Sequence, residues 1–186
     1  MAEVWDQLWD VAVDQYGYVT SGDASALGLA HTVLGKMAKR GRLVRISFGV
    51  YRFPEWPASA NDSLMEAVLW TRVPTAVLSH DTALDVLDLC DVNPAKIHIT
   101  IPKQRPLRRA QFPHHYSLHR EDLAEEQRGW WEQIPTVTAD TAIRQGIARD
   151  LRPTLIEQAI DAALRRSLIN PATADQRRHD LKERFR

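Results

Sequence analysis

The chain has 186 residues, 44% of them hydrophobic, with 24 Lys and Arg set against 24 Asp and Glu. This is the composition of a globular protein that fits one large or two small domains. The single cysteine, Cys90, excludes an intramolecular disulfide and a Cys-rich zinc cluster, and no apolar run approaches the roughly 20 residues that span a bilayer, so the sequence reads as cytoplasmic and free of the membrane.

A net charge of zero would argue against a nucleic-acid partner, but the charges are sorted along the chain. Residues 24–54 carry six cations (Lys36, Lys39, Arg40, Arg42, Arg45 and Arg52) and no acid, while the 23 residues before them carry five acids and no Lys or Arg. Residues 103–120 hold five further cations, Lys103, Arg105, Arg108, Arg109 and Arg120, again with no acid. Salt screens charges beyond about 8–10 Å, so local patches matter more than the total. A basic stretch over a short helical pattern is the electrostatic footprint of a DNA reader.

Trp5, Leu8, Trp9, Ala12 and Tyr16 recur at helical spacing and predict an amphipathic helix over residues 3–16, with an acidic ridge opposite and Gly17 as its stop. A short second helix is expected after Thr20 or Ser21, ending at Gly28. A third follows over about residues 31–40, with Leu34 and Met37 inside and Thr32, Gly35, Lys36 and Lys39 outside. Gly35 costs roughly 1 kcal/mol against alanine in a helix interior. Either a close phosphate backbone or close packing on the preceding helix would favour it. Residues 43–46 and 50–53 then read as two strands joined at Ser47-Phe48-Gly49. Three helices followed by a hairpin make a winged helix-turn-helix, whose third helix enters the major groove while the wing meets backbone or minor groove.

Pro54 and Pro57 frame a stiff connector, and the first domain is placed at residues 1–54 and the second at 58–186. In the second, helices are expected near 62–72 and 82–90, the latter capped by Ser79 or Asp81. Strands are expected at 76–78, 97–101, 115–119 and within 130–137, and three closing helices near 139–149, 153–168 and 172–184. The fold class is therefore α+β: an N-terminal winged helix-turn-helix, then a small mixed α/β domain ending in helices. Arg177-Arg178 and Arg165-Arg166 read as solvated faces.

Seven histidines raise the question of catalysis or metal binding. His80, His98, His114, His115 and His119 show no metal-ligand spacing, and the chain has no phosphate-binding glycine loop and no nucleophile elbow. His80 is expected at a helix start and His98 on the solvent or sub-layer face of a strand. The sequence thus gives no catalytic residue, no metal and no cofactor.

Gly17-Tyr18-Val19-Thr20, Leu29, Arg40-Gly41-Arg42-Leu43-Val44-Arg45 and Gly49-Val50-Tyr51-Arg52 resemble the N-terminal domain of AbiEi-type antitoxins of bacterial type IV toxin–antitoxin systems. More loosely, Ser79-His80-Asp81-Thr82-Ala83-Leu84, Ile97-His98-Ile99-Thr100-Ile101-Pro102 and Arg105 resemble that family's second domain, although Asp140-Thr141 replaces its Arg-Thr pair. The resemblance implies autorepression of the protein's own promoter and action against a nucleotidyltransferase-like toxin. His31, Thr32, Gly35, Lys36 and Lys39 are then the expected major-groove face, and Arg40, Arg42, Arg45 and Arg52 the phosphate or wing contacts. Two copies are expected on inverted or repeated half-sites, and Arg105, Arg108 and Arg109 are the candidates for partner binding. Two other readings stand beside this one. One is a stand-alone regulator whose C-terminal domain senses a ligand or protein; the other is a nuclease using the histidines.

Overall fold

The computed structural model describes residues 2–105, 107 and 113–186, and the chain divides into two compact units, Met1–Ala76 and Val77–Arg186. In the first, helix α1 (Ala2–Val13) buries Leu8 and Ala12 and lays Trp5 and Trp9 against Phe53. Trp5 and Trp9, one helical turn apart, stack with centroids 4.7 Å apart, and Trp9 meets Trp56 at 5.2 Å. Such aromatic pairs add about 0.5–1.5 kcal/mol each beyond the area they bury. The helix stops at Val13, short of the expected Tyr16. There the chain turns back, with Gly17 N–H donating to the Ala12 carbonyl and Tyr16 and Gly17 at φ of 53° and 81°. A Cβ on Gly17 would lie 2.3 Å from Trp56 Cγ, so both the dihedral and the space require glycine.

Strand β1 (Tyr18–Thr20) does not figure among the sequence expectations, because all three of its residues are buried and nothing alternates. Thr20 ends it and caps α2 (Ser21–Ala26): its hydroxyl accepts from Asp23 N–H at 3.2 Å, and the Asp23 carboxylate accepts from Thr20 N–H at 2.6 Å. Helix α3 (Val33–Lys39) follows, then β2 (Val44–Ser47) and β3 (Val50–Arg52) as the hairpin. Antiparallel pairing gives a three-stranded sheet in the order β1-β3-β2. This is the winged helix-turn-helix.

The N-terminal unit continues beyond residue 54, where the sequence ends the first domain. Trp56 belongs to the aromatic cluster. Arg52 donates to the Pro57 carbonyl at 3.0 Å and to Asp62 at 2.7 Å, at the start of α4 (Asp62–Trp70). These contacts fasten the connector and α4 to the wing, and the second unit begins at Val77 rather than at residue 58.

That second unit carries a five-stranded mixed sheet, β6-β5-β4-β8-β7, built from β4 (Val77–Leu78), β5 (Ile97–Ile101), β6 (Tyr116–Arg120), β7 (Arg128–Trp131) and β8 (Ile134–Val137). Residues 130–137 form part of a hairpin rather than one strand. Glu132 and Gln133 both take positive φ, 45° and 63°, the two-residue turn that matches strand twist. Helices α5 (His80–Val86), α6 (Ala139–Ala148), α7 (Pro153–Arg165) and α8 (Pro171–Arg184) supply the rest. Thr138 and Asn170 cap α6 and α8, and proline opens α7 and α8, where a missing N–H costs nothing. Val77 and Val137 of the sheet pack with Leu84, Ile143, Ile156, Ile160 and Leu181 of the helices. Arg177 is not a solvated residue: it grips both oxygens of Asp140 at 2.7 and 2.9 Å and ties α8 to α6.

Candidate nucleic-acid interface

Helix α3 sorts its side chains by face. Leu34 is buried, Val33 and Met37 pack on the N-terminal core, and Thr32, Lys36 and Lys39 stand exposed with half-buried Gly35 beside them. His31 is exposed just ahead of the helix. A Cβ built on Gly35 meets nothing within 4 Å, and its φ is not positive. Neither backbone geometry nor packing on the preceding helix asks for glycine here.

The hairpin is unusual for an exposed edge. Arg42 and Arg45 are exposed, and so are Val44 (47%), Ile46 (37%) and Phe48 (65%). The register shifts between Arg45 and Ser47, so Ile46 forms a bulge that bends the strand. The guanidiniums of Arg45 and Arg72 lie 5.7 and 5.3 Å from the centre of the Phe48 ring, within cation–π range. Arg72 is a wing residue that the sequence conceals, since it lies 24 positions after Phe48 and reads as part of a helix stripe. The helix ends at Trp70, and Arg72 sits at φ 55° beyond it. Among the described residues, Lys36, Lys39, Arg42 and Arg45 take part in no ion pair. Arg40 is exposed at the end of α3.

Arg52 differs from the other cations of this segment in having several partners within the unit. Besides Asp62 and Pro57, it donates to the Tyr16 carbonyl at 3.3 Å, and its guanidinium lies 5.2 Å from the Tyr18 ring. Both partners of its ion pair are largely buried, with side chains 18% and 17% exposed. Its Nε and Nη2 donors are engaged inside the unit, where the side chain braces the wing. In the 103–120 stretch Arg105 is exposed, and its carbonyl accepts from Arg120 at 2.7 Å. Arg108 and Arg109 lie outside the described residues.

The second unit brings together three histidines that sequence spacing leaves apart. β5 and β6 run parallel with His98 opposite Ser117 and Thr100 opposite His119, so His98 and His119 are diagonal neighbours on one face. His80 opens α5 and stacks on His119 at 3.7 Å between ring centroids. His98 Nδ1 and His119 Nε2 are 3.0 Å apart. Of the two faces expected for His98, solvent or sub-layer, the structure gives the buried one: the polar row of β5 lies beneath helices while its isoleucines face the other way.

Ser79 occupies the N-cap position of α5, but its hydroxyl bonds His80 Nδ1 at 2.9 Å and accepts from Thr100 at 2.8 Å instead of capping. Gln145 does that work, accepting from His80 N–H at 3.0 Å and donating to Glu121 at 2.7 Å. Burial, then the neighbouring rings, push His80 down to about 2. Burial and His98 push His119 down to about 4, and burial also lowers His98. All three rings are neutral at pH 7.

Residues 6–54 match the family model described as transcriptional regulator, AbiEi antitoxin. Among solved structures, the chain is similar to the RV2827C protein from Mycobacterium tuberculosis, at 14% identity and a TM-score of 0.51, covering 98% of this chain and 77% of that one. At that identity the likeness speaks for the fold alone. No curated protein matches the sequence. No described helix is long and apolar enough to cross a membrane. A helix with a basic outer face, a wing and the matching family model fall in one segment, and over residues 6–54 the chain is similar to the AbiEi antitoxin transcriptional regulators.

Proposed function

We propose that the protein is a DNA-binding autorepressor that reads its own promoter through α3 and the wing and acts as the antitoxin against a nucleotidyltransferase-like toxin. The observation that carries this reading is Gly35. It is an unforced glycine on the outer side of a helix whose neighbours, Lys36 and Lys39, are exposed and free of ion pairs among the described residues. A base pair or phosphate approaching there needs the room that a methyl group would fill. His31, Thr32, Gly35, Lys36 and Lys39 make the groove face. Arg40, Arg42 and Arg45 contact backbone, and Arg72 and Phe48 join them at the wing tip. The exposed apolar residues of the wing suit the floor of a groove better than bulk water.

The second unit carries the antitoxin role, with Arg105, Arg108 and Arg109 as the surface for a partner. Two copies bind inverted or repeated half-sites, which matches a protein dimer to a palindromic operator. The test is fluorescence anisotropy with a labelled duplex from upstream of the protein's own gene and an unrelated duplex of equal length. Specific DNA should bind at least about 10³-fold more tightly. Equal affinity for the two duplexes would refute operator recognition. The antitoxin role predicts a nucleotidyltransferase-like toxin gene beside this one: co-expression of the intact chain should restore growth, and the absence of such a gene or a failure to restore growth would refute it.

A further inference from the structure

We propose that His80, His98 and His119 form a three-nitrogen binding site for a divalent transition-metal ion of the zinc class. The three residues belong to the second unit, and the proposal does not rest on the DNA-binding reading.

The three rings come from three elements, the start of α5 and the neighbouring strands β5 and β6, and one ligand nitrogen from each lies within 4.8 Å of the others. His98 Nδ1 and His119 Nε2, at 3.0 Å, nearly span the roughly 3.3 Å edge of a tetrahedron with zinc–nitrogen bonds of about 2.0–2.1 Å. Metal ligation requires neutral imidazole, and burial holds all three rings in that form. An outer shell is also in place. Ser79, which accepts from Thr100, has a second lone pair for His80 Nδ1–H, and that tautomer leaves the His80 Nε2 lone pair for the ion. Among the described residues, no hydrogen bond engages Nε2 of His80 or of His98.

Packing alone gives a poor account of the cluster. Holding two buried imidazoles and a half-buried third so close together is costly, and His80 also holds a left-handed backbone at φ 52°, a conformation that clusters at functional sites. The backbone of His80 is braced from behind by Gln145, itself bonded to Glu121, whose other oxygen accepts from Arg144 at 2.5 Å.

Metal entry rearranges three groups. The proton shared by His98 and His119 moves to the outer nitrogen of its own ring. The His80 ring turns out of its stack on His119, because lone pairs lie in the ring plane. Arg149, an exposed side chain with Nη1 3.4 Å from both ring nitrogens of His119, swings away. Three protein nitrogens leave a fourth position open. Imidazole donors select zinc, copper or nickel over magnesium or calcium.

The intact chain, stripped with a chelator, is titrated with Co²⁺ and then with Zn²⁺. The expected result is one Co²⁺ per chain, with the intense visible bands of a tetrahedral nitrogen-rich site, displaced by Zn²⁺. His119→Ala should weaken binding by more than the roughly 10–100-fold typical of losing an outer-shell partner. Arg149→Ala, which removes no ligand and frees the His119 nitrogens of a neighbouring cation, should tighten binding by removing a like charge. His114→Ala with His115→Ala, an exposed pair, should leave it unchanged. A folded wild-type chain that takes up no Co²⁺, or only six-coordinate Co²⁺ with weak bands, would overturn the proposal. So would a His119→Ala variant that binds as the wild type does. The wild-type spectrum and the Arg149→Ala shift decide the matter even where His119→Ala does not fold.

Discussion

Gly35→Ala sets the two demands on α3 against each other. In the free protein a methyl at this position meets nothing within 4 Å, and the backbone is already open to alanine. The substitution should therefore stabilise the helix by about 0.8–1 kcal/mol. In a unit of this size that raises the melting midpoint by roughly 4–8 °C, followed through the tryptophan fluorescence of Trp5, Trp9 and Trp56. Against operator DNA the same methyl occupies the space needed for close approach, and overpacking of that kind costs about 1–3 kcal/mol, a loss of roughly 5- to 150-fold in affinity. The variant should be more stable and bind less well. A more stable variant with unchanged affinity would refute the placement of DNA at this helix face. A less stable one would show that the glycine serves internal packing.

Other outcomes follow from the same geometry. Gly17→Ala should destabilise the N-terminal unit by about 1–3 kcal/mol or more, since it combines a positive φ with a Cβ placed 2.3 Å from Trp56; urea unfolding measures it. Arg52→Ala leaves Asp62 without its charged donor and should cost about 1.5–3 kcal/mol of stability while the salt dependence of DNA binding stays as in the wild type. A fragment ending at residue 57 should fail to fold as a stable domain whereas one ending at Ala76 holds together, because only the longer one keeps Asp62 and α4; circular dichroism separates them. In chelated protein, His80 and His119 bind protons more readily unfolded (about 6.5) than folded (about 2 and about 4). Their contribution to stability is therefore complete above pH 6.5 and declines as the pH falls, by up to about 1.4 kcal/mol per pH unit for each ring. His80→Gln should flatten that slope between pH 4 and 6.5.

Local pattern made the winged helix legible. The stripe of Trp5, Leu8, Trp9 and Ala12, the threonine cap of α2, the basic outer face of α3 and the hairpin all appear where periodicity and capping chemistry place them. The closing helices also lie near their expected positions, and Thr138, Asn170 and prolines 153 and 171 mark their starts in the structure. What sequence could not disclose depends on contacts between distant residues. The pairing of Arg52 with Asp62 ties α4 to the wing within the unit that runs to Ala76, and no local pattern links the two residues. Arg72 reaches the wing only because α4 ends and the backbone turns left-handed at that residue. The three histidines lie 18 and 21 positions apart along the chain, and no spacing rule links a helix start to two parallel strands. The alternation of Ile97, His98, Ile99, Thr100 and Ile101 gave the strand but left its polar face open between solvent and a layer beneath helices, because a polar row under a helix alternates just as a solvated one does.

The central claim is that the lysines of α3 and the arginines of the wing meet one DNA duplex. Its most direct measurement is the salt dependence of binding to the upstream operator for the intact chain and for Lys36→Ala with Lys39→Ala. Each lost phosphate contact lowers the log–log slope by about 0.9. The double variant should bind more weakly at every salt concentration, with a slope lower by up to about 1.8 per protomer. The same affinity and the same slope in both proteins would contradict the account.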